Sequence, residues 1–259
     1  MATTTAEALA TDLAYALDPA QLMAACGWAP DPWQAQMLRA QAPRTLLVAS
    51  RQAGKSVTTA CVALHTALYQ PGSLILLLSP SLRQSQELFK KVQDAYRRLG
   101  QPTPLQAESA LRLETTGGSR IISLPGTEPT VRGYSGVDLL VIDEAARVLD
   151  ELYYSVRPML AVSHGRLLAL STPWGKRGFF YHEWTAGQDW QRIRIPATAC
   201  PRIPEHFLAE ERRSLPPLFF ASEYLCEFVD TIDQVFRSED VLGAVSADVP
   251  PLALAREGV

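Results

Sequence analysis

Leu46-Leu47-Val48-Ala49-Ser50-Arg51-Gln52-Ala53-Gly54-Lys55-Ser56 joins an apolar run to a small-residue loop ending in Gly-Lys-Ser, and a helix-forming segment follows. Such a junction turns successive backbone N–H groups inward, where they can cradle a polyphosphate such as that of ATP. Ser50, Arg51, Gln52 and Ala53 supply the turn of the loop, and Gly54 lets the backbone approach phosphate oxygens. Lys55 brings a cation to the outer phosphates and the Ser56 hydroxyl is a ligand for Mg²⁺. The pattern departs from G-x-x-x-x-G-K-[ST] at its first position, where Ala49 replaces glycine. Alone it also fits an ordinary strand-to-helix turn.

A second motif narrows the choice. In Val137-Asp138-Leu139-Leu140-Val141-Ile142-Asp143-Glu144-Ala145 four apolar residues precede two acids. A run of that kind reads as a strand buried on both faces, and open α/β sheets bind ligands at the carboxyl ends of such strands. Asp143 is placed to hold Mg²⁺ directly or through water, and Glu144 to orient and deprotonate the water attacking a γ-phosphate. Acids at a helix start also simply complement its dipole. The two motifs together favour nucleotide hydrolysis.

With 259 residues the chain can hold one large domain or one domain plus a small appendage, and its 47% hydrophobic and 20% charged residues are ordinary for a folded protein. No apolar run approaches the roughly 20 residues of a membrane helix, so no membrane partner is expected. The N-terminus does not pattern as a secretion signal. Cys26, Cys61, Cys200 and Cys226 form no C-x-x-C pair and read as reduced core residues. The four histidines show no ligand spacing. A net charge of −3 means that any nucleic acid is held by a local patch.

Along the chain, residues 1–27 read as helical and lead through a Pro- and Trp-rich loop to a short helix ending at Arg39. Strands are expected at 45–49, 74–79, 137–142, 167–170 and 192–195, with a hairpin over 111–114 and 120–124. Helices are expected at 56–69, 81–99, 145–160 and 179–184. On the 81–99 helix the spacings Glu87–Lys91 and Asp94–Arg98 suit intrahelical ion pairs. After Pro196 the texture changes to short, proline-punctuated helices over 204–228, read as a lid over the nucleotide site. The expected division is a core at 1–196, a lid and linker at 197–240 and a tail at 241–259. Alternating strands and helices predict an α/β fold, a mostly parallel P-loop sheet with helices on both faces.

The order of motifs resembles the ATPase domain of the large terminase subunit of tailed bacteriophages. The resemblance covers Pro32-Trp33-Gln34 to about Val241, and it implies a RecA/ASCE-like core with a small helical lid subdomain. Pro32-Trp33-Gln34 is similar to the segment that puts an aromatic ring and a glutamine at the adenine. Ser50 to Ser56, with Arg51 inside it, matches the family's variant phosphate loop. Ser79-Pro80-Ser81 with Gln84-Ser85 resembles the strand-to-helix segment shared with helicase-like motors. Ser171-Thr172-Pro173-Trp174-Gly175-Lys176-Arg177-Gly178 looks like the coupling motif, and Leu225-Cys226-Glu227-Phe228 with Val235-Phe236 resembles the end of the lid. The hydroxyls of Ser171 and Thr172 are suited to detect a γ-phosphate, and their loss of contact on hydrolysis would move the loop at 174–178.

The resemblance further places a catalytic arginine in Thr130-Val131-Arg132-Gly133-Tyr134-Ser135-Gly136, donated to a neighbouring copy in a ring, with Arg51 as the competitor in cis. It implies double-stranded DNA, a homo-oligomeric ring, a portal protein and a small terminase subunit as partners, in the cytoplasm of a bacterial host. Large terminases also carry a metal-dependent nuclease domain. Asp230, Asp233, Glu239 and Asp240 are followed by no sheet that could hold two metals, so nuclease activity is not expected of these residues. Two rival readings stay open: a superfamily-2-like helicase or translocase lobe, and a module that binds ATP without hydrolysing it.

Overall fold

The computed structural model describes residues 5–126, 131, 133–230 and 238–245. Eight strands form one sheet: β1 Arg44–Ala49, β2 Leu74–Ser79, β3 Leu105–Glu108, β4 Arg112–Thr115, β5 Arg120–Pro125, β6 Leu139–Asp143, β7 Arg166–Ser171 and β8 Gln191–Ile195. Their spatial order is β3-β4-β5-β2-β6-β7-β1-β8. From β5 to β8 every pairing is parallel, while β4 runs antiparallel to both β3 and β5. The fold is the α/β, mostly parallel sheet expected from the sequence, with β3 as an unforeseen edge strand.

The uninterrupted apolar strands follow from burial on two sides. Leu47, Ala49, Ile75, Leu77, Leu139, Val141, Leu168 and Leu170 enter one core cluster, beneath helices α2 Pro19–Ala25, α3 Pro32–Arg39, α4 Lys55–Tyr69 and α5 Leu82–Arg98. Their alternate neighbours Leu46, Val48, Leu76, Leu78, Leu140, Ile142, Leu167 and Ala169 enter a second cluster with Leu152, Tyr153, Phe179 and Phe180 on the opposite face. Each strand therefore divides its side chains with period two between two dry layers. A fully buried leucine contributes roughly 1.5–3 kcal/mol by transfer from water. Register levels the functional ends: Asp143 pairs with Leu170, and Val48 with Ser171.

Three local expectations are corrected. The N-terminal helix breaks into α1 Thr5–Leu17 and α2, because Asp18 caps Ala20 N–H at 3.0 Å and Pro19 occupies the first helical position. The single helix expected at 145–160 is instead a 3₁₀ turn Ala145–Arg147, a short helix Asp150–Val156 and a second 3₁₀ turn Arg157–Leu160. Glu144 leaves the strand in the left-handed region at φ 50°, which starts a tight turn in place of a regular helix. On α5 the expected pairs give way to tertiary contacts. Arg98 lies over the Trp28 ring at 5.0 Å and donates to Cys26 O, and Arg97 pairs with Glu108 at 3.2 Å. All four cysteines are free and buried, and no described helix is long and apolar enough to cross a membrane.

Candidate nucleotide site

Ser50 is fully buried where β1 ends, and the chain then turns through Gln52 at φ 60° and Gly54 at φ 97° before α4 begins at Lys55. The glycine is required twice over. A Cβ at Gly54 would lie 2.8 Å from Gln34 Nε2 and 3.0 Å from Arg202 Nη2, in a backbone conformation that side chains disfavour. Lys55 is buried and curls back, its ammonium donating to Ala49 O at 3.1 Å and Ser50 O at 3.2 Å. Its charge is thus presented at the mouth of the loop, together with the unpaired N–H groups of the first turn of α4.

The loop forms one wall of a cleft of about 570 Å³ that Ser56, Thr172 and Glu144 also line. Asp143, next to Glu144 at the end of β6, is buried, and its Oδ1 has no hydrogen-bond partner. Burial pushes its carboxyl up to about 7, with the adjacent Glu144 charge adding to the shift and Lys55 opposing it. Ser171, on the neighbouring strand, donates its hydroxyl to Glu144 Oε2 at 3.3 Å. Thr172 is almost wholly buried beside it. Residues from β1, β6 and β7, distant in sequence, meet here because the parallel register brings their carboxyl ends level.

Arg51, on the cleft wall, pairs with Glu223, with Nε at 2.5 Å from Oε2 and Nη2 at 3.3 Å from Oε1. This pairing holds the guanidinium above its ordinary pKa. Glu223 is almost entirely buried and ends the helix Pro217–Glu223; its carbonyl also accepts from Arg51 N–H at 3.2 Å. Arg147 comes within 3.6 Å of the same carboxylate. Arg132 lies outside the described residues, as does Asp233; Asp230 pairs with Lys176 at 3.4 Å.

Gln34 and Trp33 lie behind the loop. Gln34 is 1% exposed; its Oε1 accepts from Asp31 N–H at 2.9 Å, and its Nε2 donates to Thr58 Oγ1 at 2.8 Å and to Gly54 O at 3.5 Å. Trp33 packs in the first core cluster. Gln34 also borders a hollow of about 340 Å³ beside Gly54, shared with Trp28, Val57 and Arg202.

Reasoning from the sequence missed Glu223, Arg147 and Arg202, and it named Gln84 and Lys91 without placing them at this cleft. Arg202 clamps the loop, donating to Ala53 O at 2.8 Å and Asp31 Oδ1 at 3.0 Å. Gln84 and Lys91 turn one face of α5 into the cleft, and among the described residues Lys91 has no ion pair. The basic face of α5 was the available signal for Lys91. For Glu223 there was none, since nothing local distinguishes it from other acids of its segment.

A family described as "Terminase large subunit, T4likevirus-type, N-terminal" matches residues 46–242. The large terminase subunits of Thermus phage G20c and Thermus virus P23-45 are each 26% identical over 253 residues, covering 83% of this chain and 52% of theirs. The chain thus spans about half the length of these curated relatives. Among solved structures, the large terminase ATPase domain of Thermus phage P74-26 superposes with a TM-score of 0.73 at 24% identity, covering 82% of this chain and all of that one. The large terminase of another thermophilic bacteriophage, solved in complex with ADP, superposes with a TM-score of 0.64 at 11% identity, covering 77% of this chain and 54% of that one. These structural likenesses establish the fold.

Proposed function

The chain belongs to the family of terminase large-subunit N-terminal domains, and on that footing we propose that it is an Mg²⁺-dependent ATPase that drives double-stranded DNA into a phage procapsid. One observation carries the reading: Lys55 and Glu144 border the same cleft at the carboxyl edge of the sheet. The phosphates of ATP lie along the loop 50–56, and Lys55 exchanges the Ala49 and Ser50 carbonyls for phosphate oxygens. The base enters the hollow beside Gly54, within reach of Trp28 and Gln34. The likeness to a thermophilic phage terminase solved with ADP supports the choice of nucleotide.

The unpartnered oxygen of Asp143 and the Ser56 hydroxyl suit a hard divalent cation, so these two residues would hold Mg²⁺. Bound there, Mg²⁺ supplies charge neutralisation for the phosphate oxygens. Glu144 orients a water and accepts its proton as the oxygen attacks the γ-phosphorus in line; ADP departs on the opposite side. Ser171, bonded to Glu144, aims the carboxylate. A guanidinium completes the site, from Arg132 of a neighbouring copy in a ring or from Arg51 after release from Glu223. A portal protein and a small terminase subunit are the partners, in the host cytoplasm.

Glu144→Gln tests the assignment. Turnover should fall by about 10³-fold or more while nucleotide still binds, and undiminished turnover would refute it. The rate per protomer should also rise steeply with protein concentration, since an arginine supplied in trans needs a neighbour. A flat, negligible rate at every concentration would favour the non-hydrolysing module.

A further inference from the structure

Arg147 has no part in the steps above. It ends the three-residue 3₁₀ turn after Glu144, and its N–H donates to Glu144 O at 2.8 Å. Its guanidinium carbon sits 3.8 Å from the centre of the Trp174 ring. Nε is 3.9 Å from Glu144 Oε2, and Nη2 is 3.6 Å from Glu223 Oε1. One cation therefore touches three segments: the acid at the end of β6, the loop after β7, and the helix Pro217–Glu223. Its shape permits this, because a planar guanidinium stacks by its face while its edge addresses carboxylates. The side chain is 30% exposed, on the wall of the nucleotide cleft.

We propose that Arg147 is a positioning residue that reports phosphate in the cleft to the Trp174 loop and to the helix 217–223. The inference rests on the nucleotide reading given above. Both carboxylate distances exceed those of a direct hydrogen bond, so the tightest contact of the guanidinium is with the indole ring. A triphosphate entering the cleft presents several negative charges to the same guanidinium edge. Phosphate oxygens then outcompete the two loosely held carboxylates, and the plane of the group turns. The indole, stacked on that plane, moves with it, and helix 217–223 loses one of the two cations at Glu223. Binding and movement of two segments are thereby tied to one side chain.

Trp174 is 38% exposed, which makes it a reporter and a site that tolerates replacement. The test is an intrinsic-fluorescence titration of the full chain with ADP and with ATPγS. Trp174→Phe isolates the signal from those of the other four tryptophans. The expected result is an emission change with ATPγS that vanishes in Trp174→Phe and in Arg147→Lys. The lysine variant should retain ATPγS affinity within about threefold but lose about three- to tenfold in kcat, as fits loss of one stacked cation. Trp174→Ala should lower kcat comparably, and the double variant should be no slower than either single one. A wild-type emission change and kcat in Arg147→Lys would overturn the proposal, as would additive losses in the double variant. A protein that binds no ATPγS at all would instead refute the nucleotide reading itself.

Discussion

Replacing Gly54 by alanine tests how tightly the phosphate loop is built into the surrounding fold. The residue sits at φ 97°, ψ 20°, where an L side chain carries strain of about 1–2 kcal/mol. The new methyl would meet Gln34 Nε2 at 2.8 Å and Arg202 Nη2 at 3.0 Å. Arg202 can swing away, because its side chain is 45% exposed, but it then releases Ala53 O. Gln34 cannot yield: it is buried and tied at both ends of its amide, to Asp31 N–H and to Thr58 Oγ1. Overpacking against a fixed neighbour adds about 1–3 kcal/mol, for a total of about 2–5 kcal/mol. In a domain of this size that lowers the melting temperature by about 5–15 °C, as read by calorimetry without nucleotide. Placing the same substitution in a Gln34→Ala background removes the clash, so the two changes should couple by about 1 kcal/mol in the stabilising direction. A melting temperature within about 2 °C of wild type, or strict additivity in the pair, would refute the reasoning.

Asp143 gives a pH signature. Burial raises its carboxyl to about 7 from an ordinary value near 3.8, so the folded state binds the proton more tightly than the unfolded chain. The associated stability is complete below about pH 4 and is lost as the pH rises through 7. In EDTA, Asp143→Asn should therefore melt above wild type at pH 8 and alongside it near pH 4; parallel curves across that range would contradict the electrostatic account. Lys91 is half-buried in the cleft wall with no ion pair among the described residues. Lys91→Met should weaken ATPγS binding about two- to fivefold by calorimetric titration, the weight of one partly screened charge. Unchanged affinity would place Lys91 outside the reach of the phosphates.

The helix expected over 145–160 shows where local patterning gives out. Apolar residues recur there at helical spacing, yet Glu144 takes a left-handed turn and the chain proceeds through two 3₁₀ turns. That turn is set by the packing of Ala145, Val148 and Tyr153 under the sheet, which no window of neighbours encodes. The expected Glu87–Lys91 and Asp94–Arg98 pairs fail for a related reason. Exposed ion pairs on a helix contribute only tenths of a kcal/mol, so the Trp28 ring, Glu108 and the cleft easily claim the cations.

The loop 50–56, the buried strand ending in Asp143-Glu144 and the parallel sheet were all legible in the chain, because each rests on short-range chemistry. A glycine at positive φ, a run of apolar residues and an acid at a strand end act within a few residues of themselves. Only folding brought Glu223 to Arg51, 172 positions away, and Arg202 to Ala53, 149 away. Those partners are ordinary charged residues, and their meeting is governed by the path of the whole chain across the sheet edge. Pairings of that kind carry no local signature, since any acid or arginine of suitable length would read the same until the backbone delivers it.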